Sequence, residues 1–221
     1  MFTIAIDGPS GSGKSTAAKG VARRLGLRYL DTGAMYRAVA VACLEAGLAS
    51  DDPAAVAACC RAAVVEVATD PDRPRVTLGG ADVTAAIRQP AVSAWVSVVA
   101  TNSDCRKDLV GRQQAVIATG DFVLEGRDTT TVVAPGAQVR LLLSAAPQTR
   151  LARRGAELAG RVDAAQLADQ VLRRDRDDAT LVDFERPAPG VHLIDSTNLG
   201  PEEVVDQIVA LAVTAGFQPA I

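Results

Sequence analysis

Across 221 residues, 48% hydrophobic and 22% charged side chains exclude a disordered chain and leave enough apolar surface for one full core with a smaller inserted lobe. A net charge of −3 argues against a nucleic-acid-coating protein, and no apolar run nears the ~18 to 20 residues of a membrane span. Cys43, Cys59, Cys60 and Cys105 form no CxxC pair and the one histidine, His192, lies in an apolar stretch, so no zinc site is expected and a reducing compartment is. The N-terminal run lacks the basic start of a signal peptide, and the expectation is a soluble, cytoplasmic protein with no membrane or nucleic-acid partner.

Residues 2–6 read as a short buried strand, and Lys14 to Leu25 as a helix ended near Gly26. LRYLD (27–31) is a second strand, and Gly33 to Ala46 a helix that stops at Gly47. Asp51-Asp52-Pro53 is a helix start, with an acidic cap before a proline. AVVEVAT and RVTLGG, separated by the turn-rich DPDRP, predict an antiparallel hairpin. Helices are expected over 85–101 and 103–119, then strands at DFVLEG and QVRLLLSA. Pro147 opens a basic helix, PQTRLARRGAEL, and Asp163 caps a charged helix over 163–178. VHLID is the last strand, and Pro201 to Ala215 a closing amphipathic helix. Strands alternating with helices predict an α/β fold whose parallel sheet is covered by helices on both faces. Residues from about 52 to 101 read as an insertion with its own small sheet.

Gly8-Pro9-Ser10-Gly11-Ser12-Gly13-Lys14-Ser15, followed by Thr16, fits G-x-x-x-x-G-K-[ST] between a strand and a helix. The glycines let backbone N–H groups curl inward at phosphate oxygens, and the helix that follows adds the positive end of its dipole. Lys14 can reach the β- and γ-phosphates, and the Ser15 hydroxyl can ligate Mg²⁺. A dinucleotide fingerprint fails on spacing, because Thr16 stands where the third glycine would be.

The cradle alone leaves open whether the phosphoryl group goes to water, a protein or a small molecule. An anionic acceptor requires several cations aimed at one place. Three stretches offer them: DTGAMYR (Asp31 to Arg37), EGRDTTT with Arg127 and Asp128 beyond a strand end, and RRDRDD at the end of the 163–178 helix. The bland reading of RRDRDD is an exposed face of short-range ion pairs.

In order, GPSGSGKST, LDTGAMYR, ADVTAAIR, EGRDTTTVVAP, RRDRDD and LIDST resemble the bacterial cytidylate kinase family almost end to end. The resemblance implies a P-loop NTPase core (1–51 and 102–221) with a helical lid at about 152–180. An inserted α+β lobe, 52–101, would bind the nucleoside monophosphate. It implies transfer of the ATP γ-phosphoryl group to CMP or dCMP with Mg²⁺, in pyrimidine nucleotide metabolism. The small-molecule substrates would be the partners, with no obligate protein partner and a monomeric state. Carried over by position, Gly8 to Thr16 hold ATP, and Lys14, Arg127, Asp128, Arg153 and Arg154 serve the transfer, the last two as lid arginines. Asp31, Thr32, Gly33, Arg37, Ser97, Arg106, Arg127, Asp128, Arg174 and Asp178 are similar to the family's CMP-binding positions. Ser97, Arg106 and Asp128 would read cytosine, and Arg174 and Asp178 the ribose. Asp128 can accept from the exocyclic amine that cytosine has and uracil lacks. Glu125 is expected to act behind the metal or to fix its loop.

Two departures stand out. Leu181 occupies the place of a family arginine on the acceptor phosphate, for which Arg186 is the nearest substitute, and Thr130 that of a family glycine. Rival readings are a P-loop kinase for AMP, shikimate or dephospho-coenzyme A, disfavoured by the long insertion and GRD loop, and a GTP-dependent switch, disfavoured by the lack of N-K-x-D.

Overall fold

The computed structural model describes residues 1–157 and 186–218. The chain divides into two units, one of residues 1–27 and 121–221, the other of residues 28–120.

The first unit is built on four parallel strands: β1 (Thr3–Asp7), β6 (Phe122–Gly126), β7 (Val139–Ser144) and β8 (His192–Asp195). Their order is β6-β1-β7-β8, with Ile4 opposite both Val123 and Val139, and Leu141 opposite His192. Ile4, Ala5, Ile6, Phe122, Val123 and Leu124 are wholly buried. Such unbroken apolar runs, rather than alternation, are what a sheet covered on both faces requires. Helix α1 (Lys14–Leu25) packs on β6 and on the closing helix α7 (Pro201–Thr214), and α6 (Pro147–Glu157) follows β7. At the α1–α7 crossing Gly20 lies so close to Val205 that a methyl group there would stand 2.6 Å from the valine Cγ2.

The second unit holds β2 (Arg28–Asp31), α2 (Thr32–Glu45), α3 (Pro53–Ala62), α4 (Pro90–Thr101) and α5 (Ser103–Ile117). Its antiparallel sheet runs β3 (Val65–Val67), β4 (Val76–Leu78), β5 (Ala81–Asp82), with Val67 opposite Val76. Helix α2 is its centre, packed against α4, α3, β3 and β4 and buried at nearly every position from Ala34 to Val41. Asp52 caps α3 by accepting from the Ala55 N–H at 3.0 Å, and Asn102 caps α5 through Asp104 and Cys105. Burial raises the Cys43 thiol to about 12, with Cys59 beside it, and pushes the Cys60 and Cys105 thiols upward as well.

One expected element is corrected. Residues 85–101 are not one helix: a 3₁₀ turn, Ala86–Arg88, precedes α4, which starts at Pro90. Proline has no N–H to continue a helix and forces the residue before it out of helical geometry, and Gln89 is extended at φ −68°, ψ 150°.

Candidate active site

The loop between β1 and α1 is shaped by close approaches that only glycine permits. A Cβ on Gly8 would run into the Leu143 carbonyl at the end of β7. Gly11 has φ +76°, and a Cβ there would sit 2.6 Å from the Arg150 carbonyl oxygen. Beneath the loop the buried Arg150 guanidinium donates to Ser10 O at 3.1 Å and to Ala145 O at 3.1 Å, tying the loop to the start of α6. Lys14 Nζ lies 3.3 Å from Pro9 O, folded back over the loop. The N-cap of α1 is Gly13, at φ 92°, and no side chain caps the helix. A helix start without a side-chain cap directs its positive dipole end and backbone N–H groups toward the loop, the usual setting for an anion. The Ser12 hydroxyl is buried and has no hydrogen-bond partner among the described residues, a further donor inside the cradle.

Beside the cradle lies a cavity of about 290 Å³, walled by Ala17, Leu143, Leu199, Pro201 and Val204 and bordered by Gly11 to Gly13, Arg153 and Ser196. It is mostly apolar and continuous with the phosphate loop, the arrangement a base and its polyphosphate need together. Arg153 spans its polar edge: Nη1 donates to Ser196 Oγ (2.9 Å) and Ser12 O (3.3 Å), and Nη2 to Ser196 O (2.7 Å) and Leu199 O (3.3 Å). Ser15 and Thr16 are exposed at the start of α1, and Arg154 is half-buried on α6.

Arg127 and Asp128 follow β6 directly, half-buried and buried respectively. Behind them Thr129–Val133 forms a π-helical turn, a rare geometry that favours functional sites. The turn is pinned by Asp7, 2% exposed, whose two oxygens each accept from an N–H and a hydroxyl of Thr129 or Thr130, at 2.6 to 2.8 Å. Thr130, the departure from the family's usual glycine, thus supplies two of the four bonds. Glu125 is buried in β6 opposite Ile6.

In the second unit, Arg37 is buried at 6% exposure within the apolar α2. Its Nη1 donates to Ile87 O at 3.0 Å and to Ser93 Oγ at 3.1 Å. A guanidinium is costly to bury and would not sit there for packing alone. Ser97 lies one turn beyond Ser93 on α4, hence on the same face, and is half-buried, as is Arg106 in the first turns of α5. Asp31 caps α2 through Ala34 N (3.0 Å) and accepts from Arg88 at 3.3 Å. Thr32 is buried and Gly33 half-buried in the first turn of that helix. Arg186 is exposed. Arg174, Asp178 and Leu181, like most of the expected lid, lie outside the described residues.

Several residues here escape sequence reasoning. Asp7, Arg150, Ser93 and Ser196 are hydrogen-bonded to the expected site residues or to the loops that carry them. Asp7 leaves a signal, as a lone acid ending an apolar strand just before a glycine loop, and Ser196 lies within LIDST.

The pattern of the cytidylate kinase family matches residues 4–214. A cytidylate kinase of Cutibacterium acnes is 51% identical over 217 residues, 95% of each chain. One of Pelotomaculum thermopropionicum is 43% identical over 96% of each. A bifunctional pantoate ligase/cytidylate kinase of a Synechococcus strain is 41% identical over 94% of this chain and 40% of its own. Among solved structures, a Thermus thermophilus protein aligns with TM-score 0.51 at 21% identity over 98% of both chains, and an uncharacterized Eubacterium ventriosum protein with TM-score 0.53 at 12% identity, covering 96% of this chain and 98% of its own; both are likenesses of fold.

Proposed function

The chain belongs to the cytidylate kinase family, and from that premise we propose that it transfers the γ-phosphoryl group of ATP to CMP or dCMP, giving ADP and CDP or dCDP. It is a nucleoside-monophosphate kinase on a P-loop α/β fold. The observation that carries the donor half is the uncapped start of α1 beneath a glycine loop, joined to an apolar cavity of about 290 Å³. The cradle would hold the triphosphate through the Gly8 to Thr16 backbone, Lys14 and Ser12, with the adenine against Ala17, Leu199 and Pro201.

Among the described residues no three His, Cys, Asp or Glu side chains gather to hold a metal. Mg²⁺ would be held by the exposed Ser15 hydroxyl at the start of α1 and the nucleotide's own oxygens, and would supply charge neutralisation at the β- and γ-phosphates. On the acceptor side, Arg37 and Arg127 would grip the monophosphate, with Asp31, Thr32 and Gly33 shaping the start of α2 around it. Ser97, Arg106 and Asp128 would read the cytosine, and Arg174 and Asp178 the ribose. The acceptor phosphate is ionised at neutral pH, so an oxygen lone pair attacks the γ-phosphorus, the bond to the β-bridging oxygen breaks, and no general base is required. The protein's contribution is positioning and neutralisation of the transferring group by Lys14 and the arginines, including Arg153 and Arg154. Residues 52–101 would act as the monophosphate-binding lobe.

A coupled ADP-release assay over CMP, dCMP, UMP and AMP tests this reading. Turnover is expected with CMP and dCMP, and preference for AMP would overturn the base assignment. Lys14→Ala should abolish turnover with an unchanged circular-dichroism melt; retained phosphoryl transfer in that variant would remove the cradle from the mechanism.

A further inference from the structure

The loop after β6 carries two residues expected to hold the acceptor, yet neither reaches it from a regular element. Its shape comes from one buried carboxylate. Asp7 ends β1 opposite Gly126, the last residue of β6, and is followed at once by the first glycine of the phosphate cradle. Its Oδ1 accepts from Thr129 N (2.8 Å) and Thr129 Oγ1 (2.7 Å), and its Oδ2 from Thr130 N (2.8 Å) and Thr130 Oγ1 (2.6 Å). Four donors from two successive residues fix both backbone and χ1, because threonine is β-branched and stiff. Two i to i+5 bonds then close the turn: Val133 N donates to Asp128 O at 3.3 Å and Ala134 N to Thr129 O at 2.8 Å. From the other side Arg140 Nη1 approaches Thr130 O at 3.4 Å.

A carboxylate buried to 2% exposure is expensive unless its lone pairs are filled, and these are. The same group therefore sets the entry to the donor loop and the exit of the acceptor loop. We propose that Asp7 is a positioning residue for the acceptor, holding Arg127 and Asp128 in register with the phosphate cradle through the Thr129–Thr130 turn. The inference rests on the cytidylate kinase reading of Arg127 and Asp128. It assigns Thr130 a role of its own, since its hydroxyl is one of the four donors.

Thr130→Val keeps the shape and the backbone bond and removes one hydroxyl donor to a charged acceptor. Steady-state kinetics of the full chain with ATP and CMP should show KM for CMP raised about tenfold and KM for ATP within about twofold. Thr130→Ser, which restores the hydroxyl, should return KM for CMP to near the unmodified value. Asp7→Asn, which can accept on one side only, should raise it further. Equal shifts of both KM values in Thr130→Val, equal behaviour of the Val and Ser variants, or a lowered melting temperature with KM for CMP unchanged would each overturn the proposal. If the unmodified enzyme fails to phosphorylate CMP, the functional reading fails and the inference falls with it. If it does phosphorylate CMP and Thr130→Val is indistinguishable from it, the inference alone fails.

Discussion

Arg153 separates two roles that predict different numbers. The family resemblance makes it a lid arginine over the triphosphate, whereas its hydrogen bonds make it a strut between the phosphate loop and the segment from Ser196 to Leu199. Of its four bonds, those at 2.7 and 2.9 Å are short enough to count as charge-assisted, and the two at 3.3 Å add little. Two such bonds from a half-buried guanidinium come to roughly 3 kcal/mol, reduced to about 2 where water replaces the lost donor. In a chain of this length that lowers Tm by roughly 4 to 8 °C. The strut also borders the cavity proposed to take the ATP base, so KM for ATP should rise about tenfold. Arg153→Met, studied by thermal unfolding and steady-state kinetics with ATP varied, measures both quantities. A variant whose Tm stays within about 1 °C while kcat falls a hundredfold would refute the strut and leave Arg153 acting on the transferring phosphoryl group alone.

Two further expectations concern the scaffold. Gly20→Ala places a methyl 2.6 Å from Val205 Cγ2, and Val205, 2% exposed and β-branched, has no room to yield. Overpacking of about 1 to 3 kcal/mol should outweigh the ~1 kcal/mol that alanine adds to a helix, lowering the urea midpoint with the slope unchanged. Adding Val205→Ala should recover part of that loss, and strict additivity of the two changes would refute the contact. Burial holds the Cys43, Cys60 and Cys105 thiols above the ordinary thiol range near pH 9.0, Cys43 at about 12. Their contribution is therefore fully present below pH 9 and is lost as pH rises towards 12, because the unfolded thiols release protons first. Stability from denaturant titrations should fall across that window. Ellman's reagent at pH 8 should label no more than the half-buried Cys59 before unfolding, and all four cysteines after it. Rapid native labelling of Cys43, Cys60 or Cys105 would contradict their burial.

The strand and helix pattern was legible because it is local. Lys14 to Leu25 reads directly from a glycine loop before it and Gly26 after it, and the structure starts and ends α1 there. The hairpin at Val65 to Leu78 was legible because DPDRP interrupts two β-rich runs. The break at Gln89 is not legible in the sequence pattern, because the apolar spacing of ADVTAAIRQPAVSAW continues across Pro90 and only the proline's missing N–H marks it. The π turn at Thr129 is hidden from the sequence for a different reason. It is held by Asp7, 122 residues away in sequence, and no window on the chain contains both partners.

That distance has a physical consequence for where chemistry sits. In the first unit the buried polar side chains among the described residues are Asp7, Ser12, Glu125, Asp128, Thr129, Thr130, Arg150 and Ser196. Every one lies at the carboxyl end of a parallel strand or in the segment just beyond it, and the strand interiors are apolar apart from the half-buried Arg140 in β7. Each buried polar group costs about 1 to 3 kcal/mol if left unsatisfied, so a sheet that needed only to fold would have few of them and would not gather them at one end. Their concentration marks the edge where ligands meet an open α/β sheet. Within it two kinds of residue are distinguishable. The glycine loop, Arg127 and Asp128 are legible as motif, because under the proposed function a ligand dictates their type and spacing. Asp7, Arg150 and Ser196 answer to those residues rather than to the ligand, so their type is set by geometry that forms only on folding. The accuracy of the site depends on the second kind, and substitutions there should move substrate affinities while leaving the motif intact.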